Sequence, residues 1–131
     1  MPRIAHSVID NAAGYATGVR AGRHKLNADE PASRGGTDAG PSPYELLLAG
    51  LGACTAITLR MYAERKQWPA TAVHADIHFR RQDKVESIDR TLRIEGALDD
   101  EQKKRMAEIA ERTPVTLTLK RSLEIRTTLA P

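Results

Sequence analysis

Apolar and polar residues alternate most clearly in the second half of the chain. The alternation runs from Val73 to Arg80, and an apolar face containing Leu92 and Ile94 returns after the polar residues 82–87. A period of two is typical of strands with one buried face. These segments therefore predict a hairpin of two fairly long antiparallel strands.

Weaker patterns of the same kind occupy the N-terminal part of the chain. Residues 4–9 and 15–19, together with a short segment around 24–26, predict three strands joined by turns. Residues 27–42 contain repeated glycine and proline breakers and predict a loop. A long ordered loop in a compact domain often contributes to function.

The strongest helix signal begins at Ser42. A serine at the N-cap, Pro43 at the first helical position and Glu45 three residues after the cap form a capping box. The apolar pattern then continues to about Lys66, and Pro69 cannot extend the helix. Most of this segment is uncharged and rich in small residues, so we expect a central helix that is covered on most sides.

The C-terminal third predicts a second helix and further strands. Asp99 or Asp100 caps a helix over residues 101–112, and the alternation in residues 115–119 and 123–127 predicts two strands. The complete pattern indicates an α+β fold with antiparallel sheet, organised as one domain over residues 1–131.

Composition and charge restrict the class of protein. The chain has 131 residues, 20 Lys plus Arg against 17 Asp plus Glu, and a formal charge of +3, with the basic residues spread along the chain. We therefore expect no nucleic-acid partner. The N-terminus lacks a signal-peptide pattern, and the longest uncharged stretch, residues 46–59, is short for a membrane span. With one cysteine, these features favour a cytoplasmic protein without membrane contact.

Cys54 is the only candidate nucleophile that the sequence singles out. A free cysteine in an apolar helix is often a small buried hydrophobe without chemistry. A reactive cysteine needs a depressed pKa from a nearby cation or dipole. Cys54 stands about three turns from the predicted helix start, where the helix dipole contributes little. A cation must then come from elsewhere, and Arg20 and Arg23 are the candidates.

Glu45 has two interpretations. It completes the capping box, and it also stands nine residues before Cys54 on the same predicted helix. At about 100° per residue, this spacing puts the two side chains on opposite helix faces. A site that uses both requires either a bent helix or a second subunit, and a site at a dimer interface is the simpler solution.

The histidines give little support to a metal site. His74 and His78 share one face of a predicted strand, but ligands four residues apart in a strand are separated by about 13 Å. We therefore expect no bound metal and treat both side chains as solvated. His24, beside Arg23, remains an outside candidate for the site.

Residues 40–56, Gly-Pro-Ser-Pro-Tyr-Glu-Leu-Leu-Leu-Ala-Gly-Leu-Gly-Ala-Cys-Thr-Ala, resemble the central motif of the OsmC/Ohr family. The resemblance extends over nearly the whole chain in the order of its predicted elements. It implies the OsmC-like fold, with antiparallel sheets around a central buried helix. It also implies an intertwined homodimer with two active sites between subunits.

The resemblance also implies the thiol-dependent reduction of organic hydroperoxides. In that family a cysteine thiolate attacks the peroxide, an arginine holds the thiolate and the peroxide oxygen, and a glutamate orients the arginine. By motif, the cysteine is Cys54 and the glutamate is Glu45. Residues 17–23 are similar to the segment with the family arginine, which makes Arg20 the first choice and Arg23 the reserve.

The chain departs from the family pattern at the second cysteine. The peroxidases have this resolving cysteine ahead of a proline, where Thr113 precedes Pro114 here. A hydroxyl cannot form a disulfide, so an oxidised Cys54 would need an external thiol or dithiol. The first hypothesis is thus a one-cysteine peroxidase in oxidative-stress defence, without a cofactor, acting on a small apolar hydroperoxide. The second is a non-catalytic dimer that binds a small apolar ligand or a protein partner.

Overall fold

The computed structural model describes all 131 residues, Met1 to Pro131. Its strands and helices, in chain order, are β1 (Ser7–Asp10), β2 (Thr17–Ala21), β3 (His24–Ala28), α1 (Pro43–Lys66), β4 (Ala70–Gln82), β5 (Val85–Gly96), α2 (Asp100–Ala110) and α3 (Pro114–Lys120). The three helices and two antiparallel sheets confirm the α+β class. The chain divides into two compact units, Met1–Ala49 and Gly50–Pro131, and the expected single domain stays a prediction.

The N-terminal unit contains the predicted meander. Strand β2 lies between β1 and β3 and is antiparallel to both. A tight turn joins β2 to β3, and Gly22 enters it with a positive φ of 60° while its N–H donates to the His6 carbonyl. Glycine adopts this left-handed conformation without steric cost, which explains its place in the turn.

The buried carboxylate of Asp29 organises the loop after β3. It accepts hydrogen bonds from the Thr37 hydroxyl at 2.7 Å and from the backbone N–H groups of Glu30, Thr37 and Ala39. The Thr37 hydroxyl is the largest cause that lowers the pKa of Asp29 to about 2. Gly36 is required beside it, because a Cβ there would overlap the Glu30 carbonyl. The predicted loop is therefore well ordered, with a short 3₁₀ turn at Ala32–Arg34.

Helix α1 begins with the expected capping box and ends at the expected residue, Lys66. Ser42 N donates to Glu45 Oε1 at 2.9 Å, and Glu45 N donates to Ser42 Oγ at 3.3 Å, which completes the capping box. At the other end Gln67 has a φ of 59°, and the N–H of Trp68 donates to the Ala63 carbonyl. This left-handed residue with its long backbone bond forms a Schellman motif, so α1 ends before Pro69.

The expectation that α1 is covered on most sides is wrong within one chain. Its buried residues are Leu51, Thr55, Leu59 and Ala63, which form a single line at four-residue spacing. Ile57 and Met61 on another side are more than half exposed. An apolar helix needs only one face to pack on the sheet of its own chain, and the sequence pattern does not reveal which other apolar faces remain open.

The hairpin β4–β5 forms the sheet of the C-terminal unit. Its register runs from Ala70 opposite Gly96 to Gln82 opposite Val85. Asp83 and Lys84 both have positive φ values, so the turn has two residues and is shorter than the predicted turn over residues 82–87. Against the apolar face of this sheet lies a core whose buried members are Leu59, Ala63, Met106 and Ala110.

The helix α2 agrees with the sequence, and the segment after it does not. Asp99 is the N-cap, with a complete capping box to Gln102, and α2 ends two residues earlier than predicted. The strand expected over residues 115–119 is instead the helix α3, because Pro114 at the first helical position starts a helix. The strand expected over residues 123–127 is also wrong, because this exposed segment pairs with no strand of its own chain.

By length and composition alone, α1 could cross a membrane. It has 24 residues, and 22% of its most apolar 18-residue window is buried within the chain. The central helix of a soluble protein meets the same criterion, so this property does not distinguish between the two kinds of helix.

Candidate functional site

Cys54 is a free, half-buried thiol on α1. Its Sγ lies 3.9 Å from Thr58 Oγ1, one helical turn further along, which is a weak contact between a sulfur and a hydroxyl. The next residue, Thr55, has no exposed surface and faces the interior. The position of Cys54 between the buried and exposed sides of α1 leaves its sulfur partly accessible, as a nucleophile requires.

Near Cys54, Gly52 gives close packing on α1. A Cβ at Gly52 would lie 3.2 Å from Ile77 Cδ1 of β4, which is tighter than ordinary contact. Gly50 is different, because a Cβ there would meet no atom of the chain within 4 Å. The adjacent sheet therefore explains why residue 52 is a glycine. Nothing in this chain explains the glycine at position 50.

The two candidate arginines lie in the meander. Arg20 is on β2, opposite Lys25 of β3, and Arg23 follows Gly22 in the turn between those strands. Both side chains are exposed, and neither forms an ion pair with a carboxylate of the chain. Their roles toward Cys54 stay predictions.

Glu45 is exposed at the first turn of α1. The Ser42 backbone N–H, followed by the Ser42 side chain, lowers the pKa of the Glu45 carboxyl below its usual value. This hydrogen bonding accounts for the capping interpretation of Glu45. The second interpretation, in which Glu45 orients an arginine, stays a prediction.

Thr113 lies in a buried cluster of hydroxyl groups between α2 and α3. Its Oγ1 is 2.6 Å from Thr116 Oγ1, and it donates to the Ala110 carbonyl at 3.2 Å. The Thr113 side chain has no exposed surface. The residue at the expected position of a resolving cysteine is thus held in place by hydrogen bonds.

Arg90 joins this cluster to α1. Its Nη1 donates to Thr55 Oγ1 and to Thr116 Oγ1, both at 2.9 Å, and its Nη2 donates to the Ala110 carbonyl at 3.0 Å. The Arg90 side chain is only 12% exposed, and the nearest carboxylate oxygen, from Glu111, is 3.5 Å away. A guanidinium only donates, so the Thr116 oxygen accepts from Arg90. The Thr116 hydroxyl proton is then free to be donated to Thr113 Oγ1, which favours Thr116 as the donor in that pair.

Sequence reasoning missed Arg90, although a signal was present. On β5 the partly buried residues are Ile88, Arg90, Leu92 and Ile94, at a strict period of two. An arginine at an inward position of a half-buried strand is unusual and indicates a polar cluster behind it. The acceptors of that cluster come from α1, α2 and α3, so only the folded chain reveals them.

The histidines of the hairpin lie on the outer, exposed face of the sheet. His74 Nε2 is 3.4 Å from Glu95 Oε2, and His78 Nε2 is 3.3 Å from Asp76 Oδ1. No group of three or more His, Cys, Asp or Glu side chains is placed to hold a metal ion. His24 is exposed on β3.

Comparison with known proteins gives a consistent assignment of fold. A family model described as OsmC-like protein matches residues 36–128. A search of curated proteins gave no significant match. Among solved structures, the OsmC-like protein from Mycoplasma pneumoniae is 18% identical, with a TM-score of 0.80 over 92% of this chain and 89% of that chain.

Two further structures have names that mention hydroperoxides. The organic hydroperoxide resistance protein OsmC from Legionella pneumophila is 17% identical, with a TM-score of 0.66 over 91% of this chain and 92% of that chain. The organic hydroperoxide resistance protein OhrB of Bacillus subtilis is 20% identical, with a TM-score of 0.63 over 90% of this chain and 91% of that chain. At these identities the similarity establishes the fold.

Proposed function

This chain belongs to the OsmC-like protein family, and from that premise we propose that it is a thiol-dependent peroxidase that reduces organic hydroperoxides through Cys54. The observation that carries the proposal is the single cysteine, free and half-buried on α1 within the family motif. Solved relatives of the same fold are named organic hydroperoxide resistance proteins, which supports this substrate class.

The proposed reaction has three steps. The Cys54 thiolate attacks the distal oxygen of the hydroperoxide, an S–O bond forms as the O–O bond breaks, and the alkoxide takes a proton to leave as an alcohol. Cys54 is then a sulfenic acid. A first external thiol displaces water from it to form a mixed disulfide, and a second thiol releases Cys54 as the reductant becomes a disulfide.

The remaining groups have roles that follow from charge. A guanidinium beside the sulfur favours the thiolate over the thiol. Arg20 is the proposed cation, with Arg23 in reserve, and Glu45 is proposed to orient it. No resident cofactor is needed, because the external thiol supplies the electrons.

An external reductant is proposed because Thr113 has a hydroxyl where a second sulfur would be needed. Its oxygen is buried and bonded to Thr116 and Ala110, so it takes no part in thiol–disulfide exchange. The sulfenic acid therefore persists until a small thiol or dithiol diffuses to the site and reacts with it.

A homodimer is part of the proposal. Ile57 and Met61 of α1 are 55% and 56% exposed, and Leu123, Ile125 and Leu129 of the C-terminal segment are 64% to 95% exposed. Soluble proteins rarely leave so many large apolar side chains in water, so a second copy is proposed to cover them. We place the protein in the cytoplasm, without membrane or nucleic-acid partners.

A direct experiment tests the activity. The purified protein is mixed with cumene hydroperoxide and then with a dimedone-type probe, and labelling at Cys54 is followed by mass spectrometry. We expect rapid labelling, and steady consumption of hydroperoxide when dithiothreitol is added. The Cys54→Ser variant, which keeps the size and polarity of the side chain, is the matched control and should lose both signals.

The second candidate is a non-catalytic dimer whose pocket binds a small apolar ligand or a protein partner. The bonded, buried Thr113 favours it, because this residue leaves the chain without an internal route to regenerate Cys54. In that case Cys54 would react slowly with hydroperoxide and remain unlabelled by the probe. The same experiment therefore distinguishes the two candidates.

A further inference from the structure

Arg90 is a largely buried cation that the proposed reaction does not use. Its side chain is 12% exposed, its three shortest hydrogen bonds end on neutral oxygens, and its one carboxylate partner, Glu111, is itself 61% exposed. Burying a charge is costly unless strong interactions compensate for the loss of water. Most of the positive charge of Arg90 is thus left without a close buried anion.

The contact between Arg90 and Thr55 brings this charge to the helix that carries the thiol. Thr55 accepts from Arg90 and donates to the Leu51 carbonyl at 2.7 Å, and it directly follows Cys54 in the chain. The bonds fix the rotation of this turn of α1 relative to β5. They also hold the guanidinium on the interior side of the same turn, where screening by water is weak.

We propose that Arg90 is a positioning residue for Cys54. It anchors the turn of α1 that presents the sulfur, and its charge favours the thiolate from the interior side. This inference rests on the proposed function for its biological meaning, but its effect on the thiol is measurable without any peroxide.

The other charged groups around this turn are few. Between α2 and α3, Glu111 also accepts from Lys120 of α3, at 3.1 Å. On β4 the nearby Asp76 and His78 lie on the outer face of the sheet and pair with each other. Arg90 is therefore the one charged group that bonds to the Cys54 turn from the interior.

Arg60 supplies a matched control on the same helix. Its Nη1 and Nη2 donate to the carbonyls of Ala70 and Thr71 at 3.1 and 3.0 Å, so it too connects α1 to the hairpin through a guanidinium. It stands six residues beyond Cys54 and is exposed. Loss of Arg60 removes a helix anchor of the same chemistry without removing the buried charge at Thr55.

The test is the pH dependence of the alkylation of Cys54 by iodoacetamide, measured on the full chain. For Arg90→Met we expect alkylation to be about tenfold slower at pH 7 and to approach the wild-type rate at high pH, where the thiol is ionised in both proteins. Arg90→Lys keeps the charge and is expected to recover most of the wild-type alkylation rate at pH 7. Arg60→Met is expected to follow the wild-type profile.

The proposal is overturned if Arg90→Met has the same alkylation rates as wild type across the pH range. It is also overturned if Arg60→Met loses as much rate at pH 7 as Arg90→Met does. If Arg90→Met does not fold by circular dichroism, Thr55→Val takes its place, because it keeps the guanidinium and removes only its acceptor beside Cys54. Alkylation at pH 7 should then slow by about threefold or more, and an unchanged rate overturns the proposal. Absence of sulfenic acid in the wild type would instead count against the peroxidase function alone.

Discussion

Thr113 Oγ1 lies 2.6 Å from Thr116 Oγ1, and the Arg90 guanidinium donates to the second of these hydroxyls. Neither threonine side chain is appreciably exposed, and the Ala110 carbonyl accepts from Thr113. The pair links the end of α2 to the start of α3. By the family motif, Thr113 is the predicted position of the second cysteine of a peroxidase.

Thr113→Val should destabilise the fold although it keeps the shape of the side chain. The substitution leaves Thr116 without its bonded neighbour in a buried site, which costs about 1–3 kcal/mol of unfolding free energy. Urea denaturation followed by circular dichroism measures the change. Thr113→Ser keeps the hydroxyl and should lose less. Equal stability of the valine variant and wild type would contradict a structural role for the hydroxyl.

Glu45→Gln should separate the two interpretations of Glu45. Glutamine also completes a capping box, so the unfolding free energy should change by less than about 0.5 kcal/mol. The charge is lost, and we expect hydroperoxide consumption to fall by about tenfold if Glu45 orients an arginine. Ser42→Ala is the complementary control, since it should cost about 1 kcal/mol of stability with little effect on the rate. If the rate of hydroperoxide consumption is unchanged in Glu45→Gln, Glu45 has only the capping role.

Asp29→Asn should flatten the acid dependence of stability. The pKa of Asp29 is lowered from 3.8 to about 2 in the folded protein, mainly by the Thr37 hydroxyl. The carboxylate therefore stabilises the fold above about pH 4, and this contribution is lost as the pH falls toward 2. Unfolding free energies measured between pH 7 and 2 should decline more steeply for wild type than for the variant. Parallel curves would show that Asp29 is not a source of the acid sensitivity.

Gly36→Ala should strain the ordered loop. Its Cβ would overlap the backbone carbonyl of Glu30, which cannot move as a flexible side chain would. We expect a loss of about 2 kcal/mol or more, in the range of substitutions that force backbone movement. Gly18→Ala is the control, because its Cβ would meet Asp10 O at an ordinary 3.7 Å. Equal melting temperatures for the Gly36→Ala and Gly18→Ala variants would contradict this account.

Wild-type protein should elute as a dimer in size-exclusion chromatography with light scattering. Ile57→Lys places a charge on the exposed apolar side of α1 and should shift the protein to monomer, because burying an unpaired ammonium is costly. Ile4→Lys, at a residue that is 94% exposed near the N-terminus, should remain dimeric. A monomeric wild type would remove the dimer from the proposal.

Local sequence signals predicted the elements that depend on nearby residues. The capping box at Ser42 appears as expected, and Asp99 is the cap of the two candidates offered for α2, because the partners of each cap lie three residues away in the chain. The alternation in β4 also agrees with the burial of its side chains. The predicted strands near the C-terminus failed because alternation over five residues does not outweigh the helix start at Pro114, and because a strand requires a partner strand to pair with.

The sequence alone determined the α+β class, the family motif with Glu45 and Cys54, and the absence of a second sulfur at Thr113, since each depends on residue identity and short-range geometry. Only the tertiary structure revealed that Arg90 donates to Thr55, 35 residues away along the chain, and to the Thr116 hydroxyl of α3. The acceptors of a buried arginine come from whichever elements pack against it. That arrangement is set by the burial of the whole core and is not encoded in any local pattern.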